Sequence, residues 1–274
     1  MSPEPASREP RKGFRRGVYI VPTLFTIANL FFGFRSIINS MRAMEALAND
    51  RTDLATRHFE IACLSLLIAA FADTFDGLVA RSLSATSEFG KQYDSLADIV
   101  TFGTAPAILV YAWGLHVLGN LGVGIAFVFL VGVSLRLARF NVMSGKTDYR
   151  YFVGLPSPAG ALTLAAIIYF APSPVTEQGF AIVMLVVTAA VAFAMVSPVR
   201  WRSQKGMNLQ KERSMMYIVA LAMLLAVGIK WPRQVLFGMA IAYLISGPLN
   251  RLWSIVFPHR KPREPLQAAA AEGH

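Results

Sequence analysis

The sequence predicts an all-α membrane protein, a polytopic bundle of about eight transmembrane helices. Three observations predict it. The chain of 274 residues is 55% apolar and only 15% charged, whereas soluble domains carry about a quarter charged residues. Its apolar residues fall in long blocks, each close to the ~20 residues that an α-helix needs to cross ~30 Å of hydrocarbon. Its basic residues gather between those blocks in alternate loops, the distribution that marks one face of a membrane protein as cytoplasmic.

The elements follow in order. Residues 1–17, "MSPEPASREPRKGFRRG", are polar, basic and Pro-containing, as in a loose cytoplasmic tail. The apolar stretch behind them is longer than a signal-peptide core and has no clear small-residue cleavage site, so it is expected to remain as the first helix. Eight apolar segments run from Tyr19 to Met41, Phe59 to Ala80, Tyr93 to Leu115, Leu121 to Phe140, Pro156 to Ala171, Gly179 to Ser197, Met215 to Lys230 and Val235 to Phe257. The fifth and seventh are short, as in tilted or partly buried helices. Pro156 and Pro158 suit the start of the fifth helix.

With the N-terminus in the cytoplasm, most of the 26 basic residues fall on that side, among them Arg11, Arg81, Arg136, Lys146, Arg200 and Arg260. Arg42, Arg51, Arg57, Lys230 and Arg233 fall on the other. An even number of crossings with both termini inside fits this pattern. No repeat or linker divides residues 18–257, which read as a single transmembrane domain, and residues 258–274 read as a second cytoplasmic tail.

Composition also narrows the functions. The net charge of +10 follows from membrane topology, so no nucleic-acid partner is expected. Cys63 is the only cysteine, which rules out an internal disulfide or a thiolate metal site. His58, His116, His259 and His274 have no ligand spacing, which argues against zinc held by histidines.

Against this apolar background stands "DTFDGLVARSLSATSEFGKQYDSLAD", Asp73 to Asp98. Asp73 and Asp76 are three apart at the end of the second segment, and Asp94 and Asp98 are four apart at the start of the third. Both spacings place side chains on one helical face. The connection between the two helices is short, so they are expected to be antiparallel neighbours with converging acidic faces. An acidic residue at the centre of a bilayer costs ~2.5–3.5 kcal/mol on insertion scales, and mutual repulsion adds to that. Divalent cations remove the conflict, and carboxylate oxygens suit Mg²⁺, Mn²⁺ or Ca²⁺. Gly77, Ala80 and Gly90 leave room for a bulky ligand to approach the backbone, and Arg81 offers a fork of donors to a phosphate oxygen. The cluster reads as a phosphoryl-transfer site. A cation-coupled transporter is the rival that also uses buried acids, and a structural scaffold is a third class.

The eight positions Asp73, Asp76, Gly77, Ala80, Arg81, Gly90, Asp94 and Asp98 resemble the signature of the CDP-alcohol phosphatidyltransferases without departure. That resemblance implies the family's helical membrane fold and transfer of a phosphatidyl or similar group from a CDP-linked lipid to an alcohol, with release of CMP. It implies that Asp73, Asp76, Asp94 and Asp98 hold two divalent ions, Mg²⁺ or Mn²⁺. Asp98 is then the base, Asp94 its catalytic companion, and Gly77, Ala80, Arg81 and Gly90 line the CDP site. A homodimer is implied by the same resemblance.

Four further stretches resemble the phosphatidylserine synthase branch: "VPTLFTIANLFFGF" from Val21, "DSLADIVTFGTAPA" from Asp94, "LRLARFN" from Leu135 and "FVGLPSPAGA" from Phe152. They imply CDP-diacylglycerol and L-serine as substrates. Ile99 stands where the glycerol phosphate branch usually has Lys; inositol, glycerol phosphate and choline remain the alternative acceptors. Arg136 and Arg139, three apart, are candidates for holding the serine carboxylate or a lipid phosphate, although long basic side chains also snorkel to head groups. Asn29, polar within the first segment, is a candidate ligand contact.

Overall fold

The structure, a computed structural model, describes residues 20–82, 88–143, 151–197, 200–202 and 230–256. The two predicted tails and most of the seventh apolar segment lie outside these residues. Within them the protein is helical. The helices are α1 (Ile20–Ala48), α2 (Thr52–Ser82), α3 (Glu88–Asp98), α4 (Ala105–Trp113), α5 (Asn120–Met143), α6 (Ser157–Phe170), α7 (Gln178–Val196) and α8 (Pro232–Val256). Among the described residues, five stretches are long and apolar enough to cross a membrane: Thr23–Ala48, Thr52–Phe75, Glu88–Trp113, Asn120–Val142 and Gln178–Val196. The multi-pass helical class expected from the sequence is the class observed.

The helices α1 and α2 form the most extensive pair. Their seam is built of small residues, with Ala43, Ala46, Ala55 and Ala62 almost fully buried, and small side chains let two helix backbones approach closely. The turn between them is set by α1's C-terminal cap. The backbone N–H of Arg51 reaches Ala46 O at 2.9 Å, and that of Asp50 reaches Leu47 O at 3.1 Å. This is a Schellman closure, which needs a left-handed residue just beyond the helix, and Asp50 adopts φ 56° there. Outward-facing Phe31, Phe34, Phe71, Phe127 and Phe193 are exposed, as lipid-facing positions of a membrane bundle are.

Elsewhere α5 packs on α7, and α6 packs on both α2 and α8. The 14-residue α6 spans only ~21 Å at 1.5 Å per residue, the short fifth element that the sequence predicts. Pro156 caps it, with a further proline in its first turn. Trp113 at the end of α4 donates its indole N–H to Ser173 O at 2.9 Å, and Val175 N–H returns to Trp113 O at 2.9 Å. These bonds pin the α6–α7 connection to α4. Arg233 of α8 pairs with Glu60 of α2 and lies over the ring of Tyr169 of α6, which ties the C-terminal helix to the bundle.

Two local features depart from a plain bundle. The third apolar segment is not one continuous α-helix: residues Ile99–Thr104 form a π-helical turn between α3 and α4, closed by Ala105 N–H onto Val100 O. Each π turn takes in one extra residue, so the face of α4 is rotated relative to that of α3. A two-stranded antiparallel ribbon, β1 (Tyr151–Val153) with β2 (Arg200–Arg202), also joins the segments that follow α5 and α7, with Phe152 opposite Trp201. Gly154, at φ 87°, makes that ribbon possible, since a Cβ there would meet Met195 O at 2.1 Å.

Candidate active site

Asp73 projects from the C-terminal part of α2, Asp94 and Asp98 from α3. One carboxylate oxygen from each lies within 4.8 Å of the others, and all three residues are half-buried. The i, i+4 relation within α3 and the approach of α2 thus bring together three of the four aspartates of the motif. Asp76, Gly77, Ala80 and Arg81 lie on the C-terminal turns of α2, but their side chains are outside the described residues. Gly90 sits one turn before Asp94 on α3, partly exposed.

The position of Asp98 depends on α1. Asn29, fully buried, donates its side-chain amide to Asp98 Oδ1 at 3.2 Å. Thr101, in the π-helical turn, donates its hydroxyl to the backbone O of Asn29 at 3.2 Å. The close approach of these segments requires Gly33, where a Cβ would fall 2.4 Å from Thr101 Oγ1 and 2.8 Å from its Cα. Asn29 Oδ1 is buried without a hydrogen-bond partner among the described residues. Such an orphaned acceptor beside clustered carboxylates is costly unless a cation or a ligand donor engages it.

The electrostatics point the same way. Asp98 faces the like charges of Asp73 and Asp94, with Arg136 of α5 as the opposing charge. Carboxylate pairs at this separation repel by roughly 3–4 kcal/mol in an effective dielectric of ~20. Among the described side chains, three carboxylates against one guanidinium leave two negative charges, the complement of a divalent cation. Oxygen donors of this kind fit Mg²⁺ or Mn²⁺.

Arg136 donates to Ser157 Oγ at the start of α6 and shares an electrostatic neighbourhood with Asp98, Asp73 and Tyr243 of α8. The structure therefore brings Arg136 to the acidic cluster. Arg139 is exposed and is not among the charges that act on Asp98 or Arg136. Sequence reasoning missed Ser157, Tyr243 and the Gly33–Thr101 contact. Ser157 and Gly33 lie within the quoted stretches "FVGLPSPAGA" and "VPTLFTIANLFFGF", whereas nothing in α8 signals Tyr243.

Fold and site define the class first: a multi-pass helical membrane protein with a carboxylate cage suited to divalent cations. The profile of the CDP-alcohol phosphatidyltransferases matches residues 19–196, and the chain belongs to that family. It is similar to the CDP-diacylglycerol–serine O-phosphatidyltransferase of Helicobacter pylori strain J99, at 34% identity over 53% of this chain and 55% of that protein. The protein of the same name from Mycobacterium leprae is 30% identical over 91% of this chain and 81% of its own length. The archaetidylserine synthase of Methanothermobacter thermautotrophicus is 32% identical over 69% and 72%. The chain spans about half the length of the Helicobacter relative.

Proposed function

We propose that residues 18–257 form one catalytic domain that transfers the phosphatidyl group of CDP-diacylglycerol to the hydroxyl of L-serine, giving phosphatidylserine and CMP. The observation that carries this reading is the convergence of Asp73, Asp94 and Asp98, from two helices, inside a chain of this family. Relatives from bacteria and an archaeon carry serine in their names, which supports serine over inositol, glycerol phosphate or choline.

Asp73, Asp76, Asp94 and Asp98 would hold two divalent ions, Mg²⁺ or Mn²⁺. When bound, such ions neutralise the pyrophosphate and stabilise charge on the attacking and leaving oxygens. Asp98 accepts the proton of the serine hydroxyl, a weak nucleophile that needs general-base help. Asn29 holds one oxygen of that carboxylate and leaves the second to face substrate. The serine oxygen forms a bond to the lipid-side phosphorus, and the bond from that phosphorus to the bridging oxygen breaks. Its electron pair leaves with CMP. Arg136, oriented by Ser157, binds the serine carboxylate, with Arg139 outside this contact. Arg81, Gly77, Ala80 and Gly90 line the site of the CDP group.

The active site faces the cytoplasm in this reading, as do both termini, and the active form is a homodimer in the bilayer. Purified full-length protein in liposomes, supplied with CDP-diacylglycerol, Mg²⁺ and an equimolar mixture of serine, inositol, glycerol phosphate and choline, tests the reaction. Phosphatidylserine is the expected product by mass spectrometry. A different phospholipid would replace the acceptor, and no CMP release from metal-loaded protein would remove the reaction.

A further inference from the structure

A second polar site lies far from the aspartates, at the closed end of the α1–α2 hairpin. A cavity of about 350 Å³ is lined there by Arg42, Glu45, Ala46 and Asn49 of α1 and its cap, and by Arg51, Leu54 and His58. His58 and Asp73 are fifteen positions apart on α2, ~22 Å along the helix axis, so the transfer reaction does not use these groups. The cavity has more than ten times the ~30 Å³ share of one water molecule, which is space for a small polar group rather than a lone ion.

Its chemistry is two-signed. Neither Arg42 nor Arg51 has a carboxylate within ion-pair distance, since among the described residues the salt bridges are Lys91–Glu88 and Arg233–Glu60. Two guanidinium forks therefore stand ready for a phosphate. Asn49 donates its amide to Glu45 O at 2.8 Å, and acceptors complete the polar lining. Asn39 donates its amide to Arg35 O at 2.8 Å, so its Oδ1 is the atom that meets His58 Nδ1 at 3.0 Å, and Nδ1 carries the proton. In the neutral ring Nε2 is then an acceptor. The side chain of Glu45 offers a second acceptor. Two cationic donors beside two acceptors complement a phosphate joined by a short linker to an ammonium.

The surroundings favour a lipid as the carrier of that group. The cavity is lined from the C-terminal end of one stretch of membrane-crossing length, Thr23–Ala48, and the N-terminal end of the next, Thr52–Phe75, and the ends of spanning helices fall near the head groups. Leu54, 40% exposed, offers an apolar rim. We propose that this pocket binds the head group of an aminophospholipid, with the phosphate on Arg42 and Arg51 and the ammonium on Glu45 and His58. The site is independent of the serine-transfer reading.

Native mass spectrometry of the purified full-length protein, offered equimolar phosphatidylethanolamine and phosphatidylglycerol of identical acyl chains, tests it. Wild-type protein should retain phosphatidylethanolamine over phosphatidylglycerol by about tenfold or more, a difference readily resolved on the affinity scale. The R42Q/R51Q variant should lose retention of both, and Glu45→Gln should abolish the preference while keeping phosphatidylglycerol. Millimolar soluble phosphoethanolamine should leave the lipid in place. CMP release in the variants should match wild type, which shows that they are folded. Equal retention by wild type and R42Q/R51Q, a wild-type preference for phosphatidylglycerol, or binding of phosphoethanolamine without lipid would each overturn the proposal.

Discussion

Asn29 of α1 donates to Asp98 of α3 at 3.2 Å, across 69 positions of sequence. The bond ties the residue assigned as base to a helix that contributes no carboxylate to the cluster, and it leaves the amide oxygen of Asn29 buried without a partner among the described residues. Replacing Asn29 with Leu keeps the branching at Cγ, in a somewhat larger side chain, and removes the donor. CMP release should fall about 100-fold, the scale of effect produced by ~1 Å misplacement of a reacting group, while the thermal midpoint in detergent changes little. Near-normal turnover would show that Asp98 is oriented by other contacts.

Gly33 sets how closely α1 approaches the π-helical turn. A methyl group there meets Thr101 at 2.4–2.8 Å, and overpacking of this kind costs about 1–3 kcal/mol. Gly33→Ala should therefore lower the unfolding midpoint and also reduce turnover, because the Asn29–Asp98 contact moves with the helix. Gly124→Ala is the control, since nothing among the described residues lies within 4 Å of its Cβ position. It should be neutral or slightly stabilising, by up to about 1 kcal/mol. Unfolding measured by intrinsic fluorescence compares the two.

The carboxylate cage trades stability for charge. Asp94→Asn removes one like charge from a set whose oxygens lie within 4.8 Å of one another. With EDTA present the variant should be more stable than wild type. With Mg²⁺ the order should reverse, because saturation at 100 times Kd stabilises a binding-competent fold by about 2.7 kcal/mol. Turnover should vanish in the variant, and in wild-type protein stripped by EDTA. Identical melting curves for both proteins, with and without Mg²⁺, would contradict the cage.

Arg136 is assigned to the acceptor. Arg136→Gln should raise KM for serine about 10- to 100-fold, the range expected from hydrogen bonds to charged groups, and leave KM for CDP-diacylglycerol near its original value. Ser157→Ala, which removes the partner of Arg136, should have a smaller effect of the same kind. Initial rates of CMP release at varied serine and varied donor lipid separate the two substrates. A rise confined to the donor would reassign Arg136 to the lipid phosphate.

The bundle and the acidic cluster were legible because they rest on local signals. Apolar blocks of bilayer length mark α1, α2, α5 and α7, and spacings of three and four place aspartates on shared faces. The π-helical turn at Ile99–Thr104 was not legible, because one extra residue leaves no trace in a segment that is apolar on every side. The contacts of Asn29 with Asp98 and of Arg136 with Ser157, and the electrostatic proximity of Arg136 to Tyr243, span helices whose relative rotation is set by packing. No periodicity within one helix reports that rotation. The ribbon of β1 and β2 depends on the left-handed Gly154 and on pairing across about fifty residues, which a three-residue strand pattern does not announce.

The central claim is that these carboxylates converge in order to hold divalent cations. Titration of the metal-stripped protein with Mn²⁺, followed by the loss of the free-ion electron paramagnetic resonance signal, tests it most directly. Two ions per chain should bind to wild-type protein, with binding lost or reduced to one ion in Asp94→Asn and Asp98→Asn. Wild-type protein that takes up no more Mn²⁺ than those variants would contradict the account.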